Sequence, residues 1–430
     1  MSIAVRKSPL VLIKPSEKLA TTGNIKLNPD EMMLMEFQIP VLLVFERPIH
    51  QTVETIKRAL SQALVQYYHI SGRISTGANN EEFQIECTGE GVAFVAAFAN
   101  CALKEAEFFD RSTHCATTLL SELIVYYPPE VCGRNDPLLF MQVTEFTCGG
   151  FIIGVSWNHA IGDAAGISQF LQAVGELARG LSSPSVVPVR GDDSIPSLHP
   201  TIIGLLSNLE PLDLVFLDIT ITSSSISRIK DEFRVHSDGQ MCTTVEVVMA
   251  MLWQCRTRAI NSSPDAPTLL LFAANARKQM GAKDGYYGNS TSLHFVRATC
   301  STVANGDIID LVKMIKDAKD KLLHKFKKNN GYQQLRMTGQ QQLYHLQYNS
   351  LLVSSVQHLG FDKADFGGGK PVRIMCYGKR MLPLPFCTPC LPWKGKDAAN
   401  VFAGCVKEEH APAFLGELAR FMHSRINGRL

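Results

Sequence analysis

Apolar residues recur at every third or fourth position between Thr52 and Tyr68, a spacing that predicts an amphipathic helix with one buried face. Two short apolar runs follow, Leu138 to Val143 and Phe151 to Trp157, and the turn residues Thr147 to Gly150 separate them. β-Branched and aromatic residues fill both runs, as they do in buried strands. The pattern therefore predicts a helix and, further along, two neighbouring strands joined by a tight loop.

The second apolar run ends in the sequence Asn158-His159-Ala160-Ile161-Gly162-Asp163, and helix-spaced apolar residues follow as far as Gly180. His159 is thus expected where a strand becomes a helix, beside a glycine-containing turn. Side chains at such junctions are held by the flanking elements and still face a cleft. His159 is therefore a candidate functional residue.

Residues 183 to 211 are rich in Pro, Ser, Gly and Asp, which predicts a crossover connection rather than regular structure. We place the predicted N-terminal domain at 1–200, the crossover at 201–213 and the C-terminal domain at 214–430. Both halves mix strands with helices, and short loops join consecutive strands. This favours an α/β fold with a mixed sheet flanked by helices in each domain.

The apolar pattern of the second half alternates between strand and helix periods. Thr243 and Glu246 have capping-box spacing ahead of an apolar helix that continues through Trp253. The other predicted elements are strands at 214–221, 268–274 and 372–377 and helices at 223–233 and 308–327.

The length of 430 residues exceeds what one hydrophobic core usually organises, so two domains are expected. Hydrophobic residues make up 46% of the chain and charged residues 19%, which favours a globular protein over a disordered one. The formal net charge is only +2, so no nucleic-acid partner is expected. No apolar run reaches the roughly 20 residues of a membrane span, and no signal-peptide core is visible. We therefore expect a cytoplasmic protein that does not bind membranes. We also expect it to be a monomer.

Twelve cysteines are scattered along the chain, and we expect them to be small buried residues rather than a disulfide framework. Cys387 and Cys390, in Cys-Thr-Pro-Cys, have the spacing of metal and redox sites. No second pair and no nearby histidine completes a zinc site, and the flanking prolines predict a loop. We therefore expect no bound metal.

His159 and Asp163 form a His-x-x-x-Asp pattern that is weak evidence by itself, because His358 and Asp362 have the same spacing. Of the two histidines, only His159 follows a strongly predicted strand. A neutral imidazole can take a proton near pH 7, which suits a general base. The residues alone leave an alternative open, in which His159 caps a helix or lies in the core with a local hydrogen bond.

Four motifs, in order along the chain, resemble those of the BAHD family of plant acyl-CoA-dependent acyltransferases. The run Ser156 to Gly166 resembles the HxxxD region, and Asp365-Phe366-Gly367-Gly368-Gly369-Lys370-Pro371 is similar to the DFGWG motif. Between them, Asn275-Ala276-Arg277 and Tyr287-Gly288-Asn289-Ser290 resemble two further family motifs. The resemblance extends over nearly the whole chain, and four ordered motifs are more specific than any single one.

The resemblance implies two chloramphenicol-acetyltransferase-like domains, with a tunnel between them that admits acyl-CoA from one face and the acceptor from the other. It implies an enzyme that moves an acyl group from acyl-CoA to a hydroxyl or amine of a small specialised metabolite. His159 and Asp163 are the implied catalytic residues, with His159 as a general base and no acyl-enzyme. Asp163 is implied to brace the turn by pairing with Arg277, a structural residue. Acyl-CoA is then a co-substrate, and no permanently bound cofactor is expected.

The DFGWG-like loop is implied to lie near the CoA channel. The candidate CoA-binding residues are Asp365, Phe366, Gly367, Gly369 and Lys370. Gly368 stands where the family has Trp, which removes an indole ring and its N–H donor. This predicts either a wider, more mobile channel or an oxyanion contact from another donor. Lys370 either approaches a CoA phosphate or is an ordinary surface lysine.

The HxxxD region and the helix after it most resemble family members that use benzoyl or hydroxycinnamoyl donors, so an aromatic acyl-CoA is the expected donor. The alternative, motivated by Gly368, is a catalytically silent protein that binds CoA esters or metabolites on the same fold. A peptide-synthetase condensation domain shares the fold but carries paired histidines, and the first of these is Asn158 here. An acyltransferase is therefore the preferred prediction.

Overall fold

The computed structural model describes residues 3–19, 23–35, 37–76, 82–106, 115–126, 135–190, 212–326, 347–377, 384–393 and 398–423. The strands, in chain order, are β1 (Val5–Lys7), β2 (Val11–Ile13), β3 (Ile25–Lys26), β4 (Gln38–Phe45), β5 (Arg73–Thr76), β6 (Phe83–Glu86), β7 (Val92–Ala99), β8 (Leu139–Phe146), β9 (Phe151–Asn158), β10 (Val215–Thr222), β11 (Pro267–Asn275), β12 (Thr291–Thr299), β13 (Ser350–Ser354), β14 (Arg373–Met375), β15 (Phe386–Cys390) and β16 (Ala398–Val406). The helices are α1 (Pro29–Leu34), α2 (Thr52–Gln66), α3 (Cys115–Glu122), α4 (Ala164–Ala178), α5 (Ser223–His236), α6 (Thr244–Ile260), α7 (Arg277–Met280), α8 (Cys300–Asn305), α9 (Ile308–Phe326) and α10 (Ala411–His423). Each strand and helix predicted from the apolar pattern is present, and α6 continues to Ile260, past the predicted Trp253.

The chain divides into two compact units, and neither is one continuous stretch of sequence. Unit 1 comprises Met1–Gly204, Asn275–Thr291 and Val356–Met381. Unit 2 comprises Leu205–Ala274, Ser292–Ser355 and Leu382–Leu430.

The units differ from the predicted domains 1–200 and 214–430, because two segments from the second half of the sequence belong to unit 1. Strand pairing explains one of them, since β14 forms an antiparallel ladder with β4. A buried ion pair, described below, explains the other. The DFGWG-like loop therefore lies in unit 1, together with the HxxxD region. The predicted crossover at 201–213 lies outside the described residues except for its last two positions.

A mixed sheet forms the centre of unit 1, and in the described part of the chain its strand order is β1-β7-β8-β9-β4-β14, with β2 also paired to β7. β7 and β8 run parallel, whereas β8, β9 and β4 are antiparallel neighbours. Every residue of β9 is buried. The two neighbouring strands predicted from the sequence are therefore a central antiparallel pair, and β9 delivers His159 from the interior of the unit.

Helices α2 and α4 of unit 1 pack against each other, and each buries the apolar stripe predicted from its sequence. Ile56 and Leu60 on α2 are fully buried, as are Ile167, Phe170 and Val174 on α4. Burial of about three such side chains stabilises a packed helix by several kcal/mol. The packing of α4 therefore fixes the position of the turn that precedes it. A smaller sheet of order β3-β6-β5 completes the described strands of this unit.

Unit 2 has its own mixed sheet, with strand order β10-β16-β15-β13-β11-β12 in the described residues. β13 lies between β11 and β15 and runs parallel to both. Helix α6 begins with the predicted capping box of Thr243 and Glu246 and is buried along most of its length. Trp253 on this helix is fully buried, and its indole N–H donates to the Thr268 hydroxyl at 3.0 Å. Unit 2 is therefore built around α6.

The loop predicted at Cys387 and Cys390 is wrong, because these residues lie in the buried strand β15. The ladder from β15 to β13 covers only Phe386 and Cys387, so Pro389 lies beyond it and its missing N–H breaks no bond there. The ladder to β16 continues through Pro389. No cluster of three or more His, Cys, Asp or Glu side chains in the described residues could hold a metal ion.

Among the helices of the described residues, none is both long enough and apolar enough to cross a membrane.

Candidate active site

His159 is the first residue of a 3-10 turn, His159–Ile161, that connects β9 to α4. Its backbone N–H donates to the Phe37 carbonyl at 3.0 Å. The Asn158 side chain caps the turn by accepting from the Ala160 N–H at 2.9 Å. The His159 side chain is half-buried, whereas Asn158 and Ala160 are fully buried. The ring therefore emerges from a buried strand-to-helix junction, the position predicted from the sequence.

Asn289 determines which ring nitrogen of His159 carries the hydrogen. The Asn289 side-chain NH₂ donates to the carbonyls of His159 at 2.9 Å and Ala160 at 3.4 Å, and carbonyls can only accept. The amide oxygen therefore faces His159 Nδ1, at 3.1 Å. Because an amide oxygen cannot donate, Nδ1 must carry the hydrogen. Nε2 of His159 keeps its lone pair.

Burial lowers the pKa of His159 from its ordinary value of 6.5. Its own backbone hydrogen bond, the negative charge of Asp163 and the contact with Asn289 act in the opposite direction but do not cancel this effect. Removal from water disfavours the imidazolium ion, which is the charged form. His159 is therefore neutral near pH 7, the protonation state that a base requires.

Side chains from outside the turn hold its carbonyl groups. Trp157 Nε1 donates to the Gly162 carbonyl at 3.0 Å, and Arg190 donates to the Ala160 carbonyl at 3.4 Å. Arg190 in turn pairs with Glu31 of α1 at 2.6 Å, and both side chains are less than a tenth exposed. Removing one partner of such a pair leaves a buried charge uncompensated. The Arg190 pair therefore ties the turn to α1.

Two glycines allow the segment around Tyr287 to approach the turn closely. A Cβ at Gly162 would lie 2.5 Å from the Tyr287 carbonyl oxygen, and one at Gly166 would lie 1.9 Å from the same atom. Neither position can hold a side chain at this spacing. The close approach brings Asn289, two residues after Tyr287, within reach of His159.

The Asp163 carboxylate caps α4 and accepts five hydrogen bonds. Its Oδ1 accepts from the Gly166 N–H at 3.0 Å and from Arg277 Nη2 at 2.7 Å. Its Oδ2 accepts from Arg277 Nη1 at 2.8 Å, the Ser290 N–H at 3.0 Å and the Thr291 hydroxyl at 3.1 Å. The structure thus brings Asp163 and Arg277 together as a bidentate pair, the strong form of this interaction. This pair holds Asn275–Thr291 within unit 1.

Burial alone would raise the pKa of Asp163, but the charge and hydrogen bonds of Arg277, with the N–H groups of Ser290 and Gly166, lower it below the ordinary value. A carboxylate whose pKa falls on folding adds stability above its unfolded-state pKa of about 3.9. That stability is lost as the pH falls through the folded-state pKa. The Asp163 network is therefore fully effective at neutral pH.

Asp365 closes the DFGWG-like loop on itself. Its Oδ1 accepts from the backbone N–H groups of Gly367 at 2.8 Å and Gly369 at 2.9 Å. Phe366 is buried, and its ring meets Phe45 edge to face with centroids 5.4 Å apart. Asp365 and Phe366 therefore shape and anchor the loop.

Gly368 lies against the chain that follows β4. A Cβ at this position would be 2.7 Å from the Arg47 carbonyl oxygen and 3.2 Å from Ile49 Cγ2. Gly367 and Gly369 have φ angles of 115° and 97°, in the region that favours glycine. Arg47 and Ile49 thus fill the space next to Gly368, where a tryptophan side chain would have to begin.

The end of α4 contacts the same loop. Arg179 donates to the Asp365 carbonyl, and its guanidinium lies 4.0 Å from the Asp365 carboxylate. Gly175 allows this approach, because a Cβ there would be 2.5 Å from the Asp365 carbonyl oxygen. Helix α4 thus begins at Asp163 and ends against Asp365, which connects the two motifs. Lys370 is exposed, and of the candidate CoA-binding residues it is the one with a positively charged side chain.

The structure distinguishes the two His-x-x-x-Asp patterns. His358 is exposed, whereas His159 joins a network of buried groups. In the sequence, Asn289 lies in a motif but has no predicted role. Arg190 and Glu31 cannot be found from the sequence, because they are 159 residues apart and only the fold brings them into contact.

Replacing Asp163 with Asn should lower the free energy of unfolding by about 3 kcal/mol, because Arg277 loses its charge partner. Urea unfolding at pH 7 measures the loss. Asp362→Asn, in the other His-x-x-x-Asp pattern, is the matched control and should change stability by less than about 0.5 kcal/mol. The gap in unfolding free energy between wild type and Asp163→Asn should begin to narrow below about pH 4, where the unfolded-state carboxylate of wild type takes up a proton, and should close as the pH falls through the lower folded-state pKa. Equal stability of wild type and Asp163→Asn at pH 7 would show that Asp163 does not anchor Arg277.

Gly368→Ala should lower the free energy of unfolding by about 1 to 3 kcal/mol, because the new Cβ would overlap the Arg47 carbonyl oxygen. Gly416→Ala is the matched control, since a Cβ there meets nothing within 4 Å and α10 gains a better helix former. Thermal unfolding compares the two variants. A third variant, Gly368→Trp, should be destabilised at least as much as Gly368→Ala. A Trp variant as stable as wild type would show that the loop has room for an indole.

The chain matches the family described as Transferase family over residues 1–380. Acyl transferase 15 of Oryza sativa subsp. japonica is 43% identical over 98% of this chain and 99% of its own length. Benzyl alcohol O-benzoyltransferase of Petunia hybrida is 30% identical over 86% of this chain and 82% of its own length. Myricetin 3-O-glucosyl 1,2-rhamnoside 6'-O-caffeoyltransferase AT1 of Crocosmia x crocosmiiflora is 30% identical over 98% of this chain and 100% of its own.

Solved structures show the same fold. Vinorine synthase aligns with a TM-score of 0.73 at 20% identity, over 97% of this chain and 98% of its own. TRI101 of F. sporotrichioides, complexed with coenzyme A and T-2, aligns with a TM-score of 0.66 at 18% identity, over 92% of this chain and 97% of its own. These likenesses confirm the predicted α/β fold of two chloramphenicol-acetyltransferase-like domains, each with a mixed sheet flanked by helices.

Acyl transfer is the activity that the names of these plant relatives share, and this chain is an acyltransferase. The family match covers most of the chain, and the four motifs occur in the order expected of it. The chain therefore belongs to the Transferase family, the BAHD acyltransferases of plants that its motifs resemble.

Proposed function

We propose that this chain transfers an aromatic acyl group from acyl-CoA to a hydroxyl or amine of a small specialised metabolite, with His159 as the general base. The observation that carries the proposal is the contact between Asn289 and His159 Nδ1, at 3.1 Å. It leaves Nε2 unprotonated and ready to accept a proton. The lowered pKa of His159 supports the same role, because the ring stays neutral near pH 7.

In the proposed reaction, Nε2 of His159 takes the proton of the acceptor as its oxygen or nitrogen attacks the thioester carbonyl. The carbonyl carbon becomes tetrahedral, and the carbon–sulfur bond then breaks. The imidazolium returns its proton to the departing thiolate, so the products are the acylated acceptor and free CoA thiol. No bond forms between protein and acyl group, and the base ends each cycle in its starting state.

Names of relatives and neighbours support the donor and acceptor classes. A caffeoyltransferase and a benzoyltransferase are among the curated relatives, which supports an aromatic acyl group. Both are named as O-acyltransferases, which supports a hydroxyl over an amine as the acceptor. TRI101, a structural neighbour, is complexed with coenzyme A, which supports a CoA ester as donor and free acyl-CoA as a co-substrate.

A catalytically silent binding protein is the alternative, motivated by Gly368. The described site argues against it, because Asn289, which orients the base, is present together with the Asp163–Arg277 pair that anchors the segment carrying Asn289. A protein that only bound its ligands would have no need of a histidine held in one tautomer. Calorimetric binding of CoA esters without turnover on any alcohol or amine would favour the silent protein.

His159→Ala should lower kcat by at least about 100-fold, because the acceptor loses its base. His358→Ala is the matched control, an exposed histidine with the same sequence spacing, and its kcat should equal that of wild type. Release of free thiol from benzoyl-, coumaroyl- and acetyl-CoA with pooled alcohols and amines measures the rates. An unchanged rate in folded His159→Ala would end the assignment of the base, and a clear preference for acetyl-CoA would end that of the donor class.

The acid limb of kcat/KM should have its midpoint below pH 6.5, because kcat/KM follows the base of the free enzyme and burial lowers the pKa of His159. Activity is then present above this midpoint and is lost as the pH falls through it. Asn289→Asp should move the limb upward by about one pH unit, because a carboxylate beside Nδ1 stabilises the imidazolium. A rate profile with the wild-type midpoint in folded Asn289→Asp would show that a different group controls the limb.

A further inference from the structure

His69 lies behind the turn that carries His159, and the proposed reaction does not use it. It belongs to the 3-10 turn Tyr68–Ser71 that follows α2, and it is fully buried. Its Nε2 contacts the Ile161 carbonyl at 3.4 Å, and its Nδ1 forms a hydrogen bond with the Tyr287 hydroxyl. The ring therefore touches two segments of the candidate active site.

The two partners determine the tautomer of His69. The Ile161 carbonyl can only accept, so Nε2 of His69 must carry the hydrogen. Nδ1 then has the lone pair, and the Tyr287 hydroxyl donates to it. In a neutral imidazole, this is the one arrangement that satisfies all three groups.

The surroundings of His69 keep the ring neutral. Burial lowers its pKa well below 6.5, and the positive charge of Arg190 lowers it further, while the contact with Ile161 acts weakly in the opposite direction. The rings of Tyr68 and Tyr287 also lie against it, with centroids 6.1 Å and 4.7 Å away. Burial also raises the pKa of Tyr287 well above 10, so its hydroxyl stays protonated and able to donate.

The two residues that His69 contacts lie close in sequence to the base and to its amide partner. Ile161 is two residues after His159, and Tyr287 is two residues before Asn289. The carbonyl of Tyr287 also lies against Gly162 and Gly166, where the spacing leaves no room for a Cβ. A shift of Tyr287 would therefore move Asn289 relative to His159.

We propose that His69 is a positioning residue for the acyltransferase site, which joins the Ile161 carbonyl to the Tyr287 hydroxyl and so keeps Asn289 in register with His159. This proposal rests on the proposed function, in which His159 is the base. It assigns His69 no contact with either substrate. Its effect is to hold the single tautomer of His159 that leaves Nε2 available.

Tyr287→Phe removes only the hydroxyl that donates to His69. We expect about a tenfold fall in kcat with little change in KM, since small misplacements of catalytic groups are costly in rate. Tyr67→Phe is the matched control, because Tyr67 lies 4.7 Å from the Tyr287 ring and its buried hydroxyl contacts Gln169 instead. Tyr67→Phe should be destabilised about as much as Tyr287→Phe but keep the wild-type kcat.

Nitrogen-15 spectra of histidine-labelled protein give a measurement that does not depend on turnover. The His159 signals, assigned by their loss in His159→Ala, should show one tautomer in wild type and Tyr67→Phe. Tyr287→Phe should show a mixture of both tautomers. A His159 spectrum and a kcat equal to wild type in Tyr287→Phe, with only a lower melting temperature, would overturn the proposal.

A second pair of variants keeps the test valid if Tyr287→Phe does not fold. His69→Gln can still donate to the Ile161 carbonyl and accept from Tyr287, whereas His69→Leu can do neither. We expect His69→Gln to retain the single His159 tautomer and His69→Leu to lose it. Identical His159 spectra in both would overturn the proposal. Absence of turnover in wild type would count against the proposed function alone, because the spectra would still report on His69.

Discussion

The bidentate pair between Asp163 and Arg277 is the interaction on which the candidate active site depends. One carboxylate caps α4, receives a guanidinium and accepts from Ser290 and Thr291. An anion at a helix N-terminus is favourable by itself, and here it also neutralises a cation from a distant part of the sequence. With that pair in place, Asn289 lies where it can orient the imidazole.

In this site, groups that do not ionise near neutral pH determine the protonation state of His159. The Asn289 amide sets the tautomer of His159, and backbone carbonyls set the orientation of the Asn289 amide. Asp163 is charged, but its oxygens are committed to Arg277 and to N–H and O–H donors. Asp163 therefore acts on His159 both through its charge, which favours the imidazolium, and through the geometry that it maintains.

Much of the fold could be predicted from the sequence because the relevant signals are local. Apolar periodicity predicted the central strands and both packed helices of unit 1, and the hydroxyl and acid of the capping box predicted the start of α6. The loop predicted at Cys387 and Cys390 is wrong because a strand accepts a proline where its missing N–H breaks no ladder bond, as at Pro389 beyond the ladder with β13.

Other features of the site were beyond sequence pattern for a physical reason. The contacts of Arg190 with Glu31 and of His69 with Tyr287 join residues that are far apart in the chain. Periodicity carries no information about which distant side chains meet. Likewise, the obstruction beside Gly368 comes from the carbonyl of Arg47, and the sequence of the loop alone suggested an opening there instead.

The discontinuous composition of unit 1 has a consequence for biosynthesis. β9 and the turn that carries His159 emerge from the ribosome more than a hundred residues before Arg277 and Asn289, and β14 emerges later still. The nascent N-terminal part can collapse around β8 and β9 early. Its central sheet and the turn at His159 are completed only after β14, Arg277 and Asn289 have been translated. Contacts of such long sequence separation slow folding and prolong the exposure of unpaired strand edges. We therefore expect the nascent chain to depend on chaperones until residue 375 has cleared the exit tunnel.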